Sequence, residues 1–245
     1  REDALDKMEK RSPEDLAASW SGEDILYTGR GNAIFIVLPT PGCAWAVSVS
    51  GGCTMCSYVA DSPLENVDSE KLIDIFKKSI GRYEIKEKTV VKIFVSGSFL
   101  NPKEIPVKAR NEILEILKNE ENIEEVVIES RPEFINAEVL KECCESLGNK
   151  IFEIGIGLET SDDYTRKEKI NKGFSREDFE RAVKIINTTN LDCDVKAKAY
   201  LFVKPILTSE KNAIDEAVNS AKYAESVGVS RISFCPATIH KDTLM

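Results

Sequence analysis

The chain has 245 residues, 42% hydrophobic, 31% charged and 7% aromatic. That is enough apolar material for a full core, so a wholly disordered chain is excluded. Asp and Glu number 42 against 33 Lys and Arg, for a formal net charge of −9. This excludes whole-chain attraction to polyanions and leaves room only for a local basic mouth. No apolar run reaches the ~18 residues of a membrane span and no signal peptide is recognisable, so a cytoplasmic protein without a membrane anchor is expected.

In chain order, residues 1–30 read as an N-terminal extension and 31–245 as one repeating unit, truncated at its C-terminal end. Short β-branched runs recur at Ala33 to Leu38, Val90 to Val95, Val126 to Ile128, Ile151 to Ile156, Val195 to Val203 and Val229 to Phe234. Several are apolar nearly throughout, as strands covered on both faces are. Helical stripes lie between them. Leu72, Ile73, Phe76 and Ile80 share a face, as do Ile113, Leu114 and Leu117. Val139, Leu140, Cys143, Cys144 and Leu147 form a third stripe, stopped by Gly148. Ser175 with Asp178 is a capping box before Phe179, Ala182, Val183 and Ile186. Ser209 opens a last helix through Ile214, Ala217, Val218, Ala221 and Ala224, with Gly228 past its end.

Strand–helix alternation of this kind predicts a parallel α/β sheet, either doubly wound or closed into a full or partial (β/α) barrel. Both architectures place chemistry at the carboxyl ends of the strands. Those ends carry Ser96-Gly97-Ser98, Glu129-Ser130-Arg131-Pro132, Gly157-Leu158-Glu159-Thr160 and Lys204-Pro205. Glu129 and Arg131, two apart, share a face and point to the mouth, where an ion pair between them is one outcome. Lys196, Lys198 and Lys204 share a strand face, suited to phosphate, to a carboxylate or to solvent.

The loop after the first strand holds Cys43, Cys53 and Cys56 in the spacing C-x9-C-x2-C, with Gly42, Gly51 and Gly52 around them. Three soft thiolate donors in one loop select zinc, copper or an iron–sulfur cluster. Structural zinc wants a fourth ligand, and the one histidine, His240, reads as solvated. The seven cysteines are expected as reduced thiols or ligands. Cys143, Cys144 and Cys235 read as small core hydrophobes, and Trp20 and Trp45 as packing residues.

With these motifs the chain resembles the radical-SAM enzymes. The long gap in the cysteine loop is similar to that of the elongator catalytic subunit and its relatives. Cys43-Ala44-Trp45, Cys53-Thr54-Met55-Cys56-Ser57-Tyr58, Ser96-Gly97-Ser98-Phe99-Leu100, Glu129-Ser130-Arg131-Pro132-Glu133, Gly155 to Thr160 and Asn171-Lys172-Gly173-Phe174 look most like the radical-SAM subunits of archaeosine synthase. The resemblance implies a partial (β/α)6-type barrel with parallel strands. It implies a 4Fe-4S cluster on Cys43, Cys53 and Cys56, with S-adenosylmethionine on its open iron. Ser96, Gly97 and Ser98 would then receive the methionine ammonium, Arg131 the carboxylate, and Glu159 the ribose hydroxyls, with Lys172 or Arg166 as further carboxylate partners and Glu129 as a further cofactor-binding residue at the mouth. Many such loops carry an aromatic before the third cysteine; here that residue is Met55, and Tyr58 is the nearby ring. The implied activity is a lyase-type conversion of a lysine adduct of a deazaguanine in the tRNA D-loop. The implied partners are tRNA, a lysine-transferring synthase subunit that grips it, and an electron donor. The alternatives are an elongator-type enzyme acting on wobble uridine and a non-enzymatic zinc-stabilised binding module.

Overall fold

The structure is a computed structural model that describes residues 12–63, 66–240 and 243. Seven strands form one curled sheet in the order β1 to β7: Ala18–Leu26, Gly29–Leu38, Thr89–Val95, Ile123–Glu129, Ile151–Glu159, Asp194–Val203 and Arg231–Pro236. β2 to β7 run parallel, each beside its sequence neighbour, and β1 pairs antiparallel with β2. A doubly wound sheet reverses its strand order at a switch point. This sheet never does, so the architecture is the partial (β/α) barrel.

Among the described residues, five helices of three turns or more follow the strands: α1 (Ser69–Ile80), α2 (Val107–Lys118), α3 (Ala137–Leu147), α4 (Arg176–Thr188) and α5 (Glu210–Ser226). Four of the five start at a capping side chain. Asp68, Asn136, Ser175 and Ser209 accept from free backbone N–H groups at the N-termini of α1, α3, α4 and α5. The Ser175–Asp178 capping box forms as expected. Helices and the outer sheet face share one core, including Ile36, Ile93, Ile128, Ile154 and Ala199 from the strands and Phe76, Leu114, Leu140 and Phe179 from the helices. Alternation along each strand sends the other set of side chains to the concave inner face.

Three expectations are corrected. β1 was not anticipated, because most of its residues are polar or exposed. The last helix buries Ala213, Ser220 and Ala224, while Ile214 and Val218 are exposed, so its inward stripe is rotated from the one read off the apolar residues. Cys144 of α3 is disulfide-bonded to Cys193, just ahead of β6, where reduced thiols were expected. Cys143, its neighbour, is a buried core thiol whose pKa burial pushes up to about 12. No helix among the described residues is long and apolar enough to cross a membrane.

Candidate metal and cofactor site

The cysteine loop lies over the carboxyl ends of the strands, held there by two side chains, one of them not singled out in the sequence. The first is Glu104. It is almost fully buried, and its carboxylate accepts from the Ala44 N–H at 2.8 Å, from the Asn101 side-chain amide at 2.9 Å and from the Ser98 N–H. Burial raises its pKa, and these hydrogen bonds work against that rise. Gly97 makes the crossing possible. Its φ is +138°, and a Cβ there would meet Glu104 Oε2 at 2.0 Å and Cys43 Cα at 3.1 Å. Glu104 thus ties the residue after Cys43 to the loop that follows β3.

The second is Asn171. Its side-chain amide donates to the carbonyls of Ser50 at 2.9 Å and Gly52 at 2.8 Å, and its own carbonyl accepts from the Trp45 indole at 2.7 Å. Next to it, Thr54 donates from its backbone to Ile170 and from its hydroxyl to Lys169. The segment after β5 is a π-helical turn, Thr165–Lys169, a form that frequently marks functional sites. It turns the Lys169 and Ile170 carbonyls toward the loop that carries Cys53 and Cys56.

Glu159 and Lys172 meet at this edge. Their Nζ–Oε1 distance is 2.6 Å and both side chains are largely buried. Glu159 sits at a register shift between β5 and β6 with φ +64°, which re-aims its side chain. A Cβ at Gly157 would collide with both partners, at 2.5 Å and 2.6 Å. Burial opposes the charge on Lys172, but Glu159 and the Cys53 thiol outweigh it, and the lysine pKa is raised. Burial also raises the pKa of Cys53, with Lys172 and Arg131 working against that rise. A thiolate at Cys53 therefore depends on neighbouring positive charge, which a metal centre supplies. That donor chemistry fits an iron–sulfur cluster. Among the described residues no group of three or more His, Cys, Asp and Glu side chains converges to hold a single metal ion.

Other residues take different positions from those expected. Glu129 makes no ion pair with Arg131; it hydrogen-bonds to Tyr200 across the inner face, and burial pushes its pKa up to about 7. Arg131 donates to Glu133 at 2.5 Å and to the Lys172 and Gly173 carbonyls, and lies over the rings of Trp45 and Phe174 at about 5.5 Å. Those contacts fix its guanidinium between Trp45 of the cysteine loop and the segment after β5. Arg166 is likewise buried, donating to the carbonyls of Thr160 and Phe174 and pairing with Asp163. The Ser96 hydroxyl donates to the Tyr58 carbonyl, and the buried Ser98 hydroxyl accepts from the Arg131 N–H, so both lock loops together. Lys198 pairs with Glu153 deep on the inner face, whereas Lys204 lies outside beside Glu210. Cys235 is half-buried rather than core, in the electrostatic reach of Glu159 and Glu129, and burial pushes its thiol up to about 11. His240 is exposed, as expected.

Comparison with known proteins places this arrangement. The chain is 40% identical over its whole length to an uncharacterised protein of Methanocaldococcus jannaschii, covering 67% of that protein. It is 34% identical over 91% of its length to the archaeosine synthase subunit beta of Methanosarcina acetivorans, covering 64% of it. It is 38% identical over 84% of its length to the subunit of the same name from Thermococcus kodakarensis, covering 62%. The chain belongs to the archaeosine synthase subunit beta family. It spans about two thirds of the length of these relatives. No protein-family model matches it. Among solved structures, the radical S-adenosylmethionine methyltransferase TsrM from Kitasatospora setae aligns with a TM-score of 0.52 at 12% identity, covering 82% of this chain and 35% of that one. The shared fold is the partial barrel with its open concave face.

Proposed function

We propose that the chain is the radical-SAM component of an archaeosine synthase. In this reading Cys43, Cys53 and Cys56 would hold a 4Fe-4S cluster, beside which S-adenosylmethionine would bind. The substrate is a lysine adduct of a deazaguanine in the D-loop of tRNA. The observation that carries it is the clasp: Glu104 and Asn171, from two different strand ends, fasten a three-thiol loop over the barrel mouth in a chain of this family.

When bound, the cluster supplies the electron that cleaves the sulfonium to a 5′-deoxyadenosyl radical. The overall change balances. The lysine side-chain carbon next to the amidine nitrogen loses two electrons, its C–N bond breaks, and it leaves as an aldehyde with oxygen from water. The sulfonium gains those two electrons and becomes methionine and 5′-deoxyadenosine, and the amidine keeps the nitrogen. This chain's residues hold and shield. Gly97 and Gly157 leave room for Glu104 and for the Glu159–Lys172 pair, which a Cβ at either position would displace. Glu159, fixed by Lys172, offers a carboxylate for ribose hydroxyls. Arg131, between Trp45 and Phe174, seals the rim against water. The partner is the lysine-transferring subunit, which supplies the main grip on tRNA, and an external donor supplies only the electron that starts turnover, with no net electron consumed per product.

The test is anaerobic reaction of the reconstituted chain with its partner, S-adenosylmethionine and tRNA carrying the lysine adduct. Nucleoside analysis should show archaeosine, with one 5′-deoxyadenosine per product. Metal analysis should give about four irons per chain, and Cys56→Ala should lose both iron and 5′-deoxyadenosine. One zinc per chain with no 5′-deoxyadenosine would instead establish a zinc-stabilised module.

A further inference from the structure

The inner face carries an aromatic group that the cofactor site does not use. Trp20 on β1 stands opposite Phe35 on β2. Their rings stack with centroids 5.1 Å and planes 7° apart. Phe94 on β3 completes the group, 6.4 Å from Trp20 and 6.3 Å from Phe35, within 14° of parallel to both. Ser19, next to Trp20, bonds to Tyr83 on the helix-covered side. Alternation along the strand therefore turns Trp20 to the concave side, where it is 46% exposed.

Phe35 packs on a small buried apolar cluster of Leu26, Ala33, Val90 and Val127, and a charged pair borders the stack. Lys92 lies over the Phe35 ring at 5.5 Å and pairs with Asp24. The stack is also continuous with the site. Phe94 comes two residues before Ser96 in the chain. Because Ile93 pairs with Ile128, Phe94 and Glu129 stand side by side on adjoining strands. An apolar chain gains nothing from a charged pair beside the rings. A flat heteroaromatic with donors and acceptors on its edge uses both.

We infer that Trp20, Phe35 and Phe94 form the seat of the substrate base: a planar deazaguanine ring stacks against Trp20 and Phe94, with Lys92 and Asp24 at its polar edge. The inference rests on the tRNA-modifying reading above and names the residues that would hold its substrate. Chemistry on a base takes that base out of its own stack, and aromatic side chains replace the lost stacking. Stacking tolerates any flat base, so Lys92 and Asp24 supply the discrimination. A chain of net charge −9 gets little from phosphate contacts, so the base itself must contribute to binding.

The experiment is equilibrium dialysis of the lysine adduct of the deazaguanine nucleoside against the reconstituted chain, with free lysine as control, alongside tryptophan emission. The nucleoside should bind and quench the wild-type emission. W20A and F94A should each weaken it about tenfold, whereas W20F keeps affinity within about threefold and loses most of the quenching. Substrate-free 5′-deoxyadenosine formation by W20A should stay at the wild-type rate, which reports an intact fold and cofactor site. If W20A loses that activity as well, W20F decides through its emission. Wild-type affinity in both W20A and F94A, or wild-type emission that the nucleoside leaves unchanged, overturns the inference. Archaeosine formed without any dependence on the stack removes the stack alone. Nucleoside binding through Trp20 with no archaeosine formed removes the reaction alone.

Discussion

Asn171 has φ +56°, a left-handed conformation that asparagine tolerates better than most side chains. The position demands that conformation and an amide together, because the amide closes two carbonyls of the cysteine loop while the backbone carbonyl takes the Trp45 indole. Replacing Asn171 by Gly keeps the backbone and removes the amide. The expected result is a loss of about 1–2 kcal/mol in stability and faster loss of iron on gel filtration. Iron retained at the wild-type level in N171G would show that the amide is not what fastens the loop. Glu129 makes a prediction of the opposite kind. Its folded pKa of about 7 lies above the ordinary 4.5, so between those values the folded chain holds a proton that the unfolded chain has lost. Stability therefore falls as pH rises through that window and levels off above it. Burial is the cause; Tyr200, Lys198 and Lys172 oppose it and Glu159 reinforces it. Denaturation of the metal-free chain at pH 5 and pH 8 should show E129Q gaining on the wild type at the higher pH. An equal difference at both pH values would place the titration elsewhere.

At the scale of elements, the six parallel strands and α1 to α4 were readable because each buries an apolar face with its own period, whereas α5 was readable as a helix but not in its buried face, which is made of the small residues Ala213, Ser220 and Ala224. β1 was not, since an antiparallel edge strand earns its place by pairing with β2 and shows little apolar pattern of its own. The cysteine loop was legible from its spacing, and Asn171-Lys172-Gly173-Phe174 as a motif. Glu104 was not, because in sequence it is one acidic residue in a polar turn, and only the fold brings it to Ala44 and Ser98. The same limit hid the link between α3 and β6. Cys144 and Cys193 are 49 residues apart, and their pairing depends on how α3, α4 and β6 stack. That cross-link restricts the unfolded chain and contributes about 3–4 kcal/mol on loop entropy alone. Cys193→Ser should lower Tm by several degrees while leaving 5′-deoxyadenosine formation intact, since the bond lies on the helix-covered side away from the cysteine loop. An unchanged Tm in C193S would mean that the bond does not form in the purified protein.

For the whole molecule, charge and shape pull in different directions. The half-barrel leaves a concave face open to a large substrate, yet the chain carries 42 acidic against 33 basic side chains. Many of the cations near the concave face are already engaged. Lys198 and Arg231 are bound to Glu153, Arg231 also to Glu125, Lys92 to Asp24 and Lys172 to Glu159. These pairs neutralise the inner face without offering phosphate a field. Affinity for tRNA from this chain alone should therefore be weak. The few phosphate contacts it makes should give a shallow dependence of log K on log salt, because each neutralised phosphate adds a slope of roughly −0.9 on a duplex. Adding the partner subunit should raise affinity and steepen the slope together, since the extra grip comes from its cations. Titrating labelled tRNA at several salt concentrations, with and without the partner, measures both. Tight binding by the isolated chain with a steep salt dependence would show that it carries a phosphate-binding surface of its own, and the division of labour between the two subunits would then be wrong.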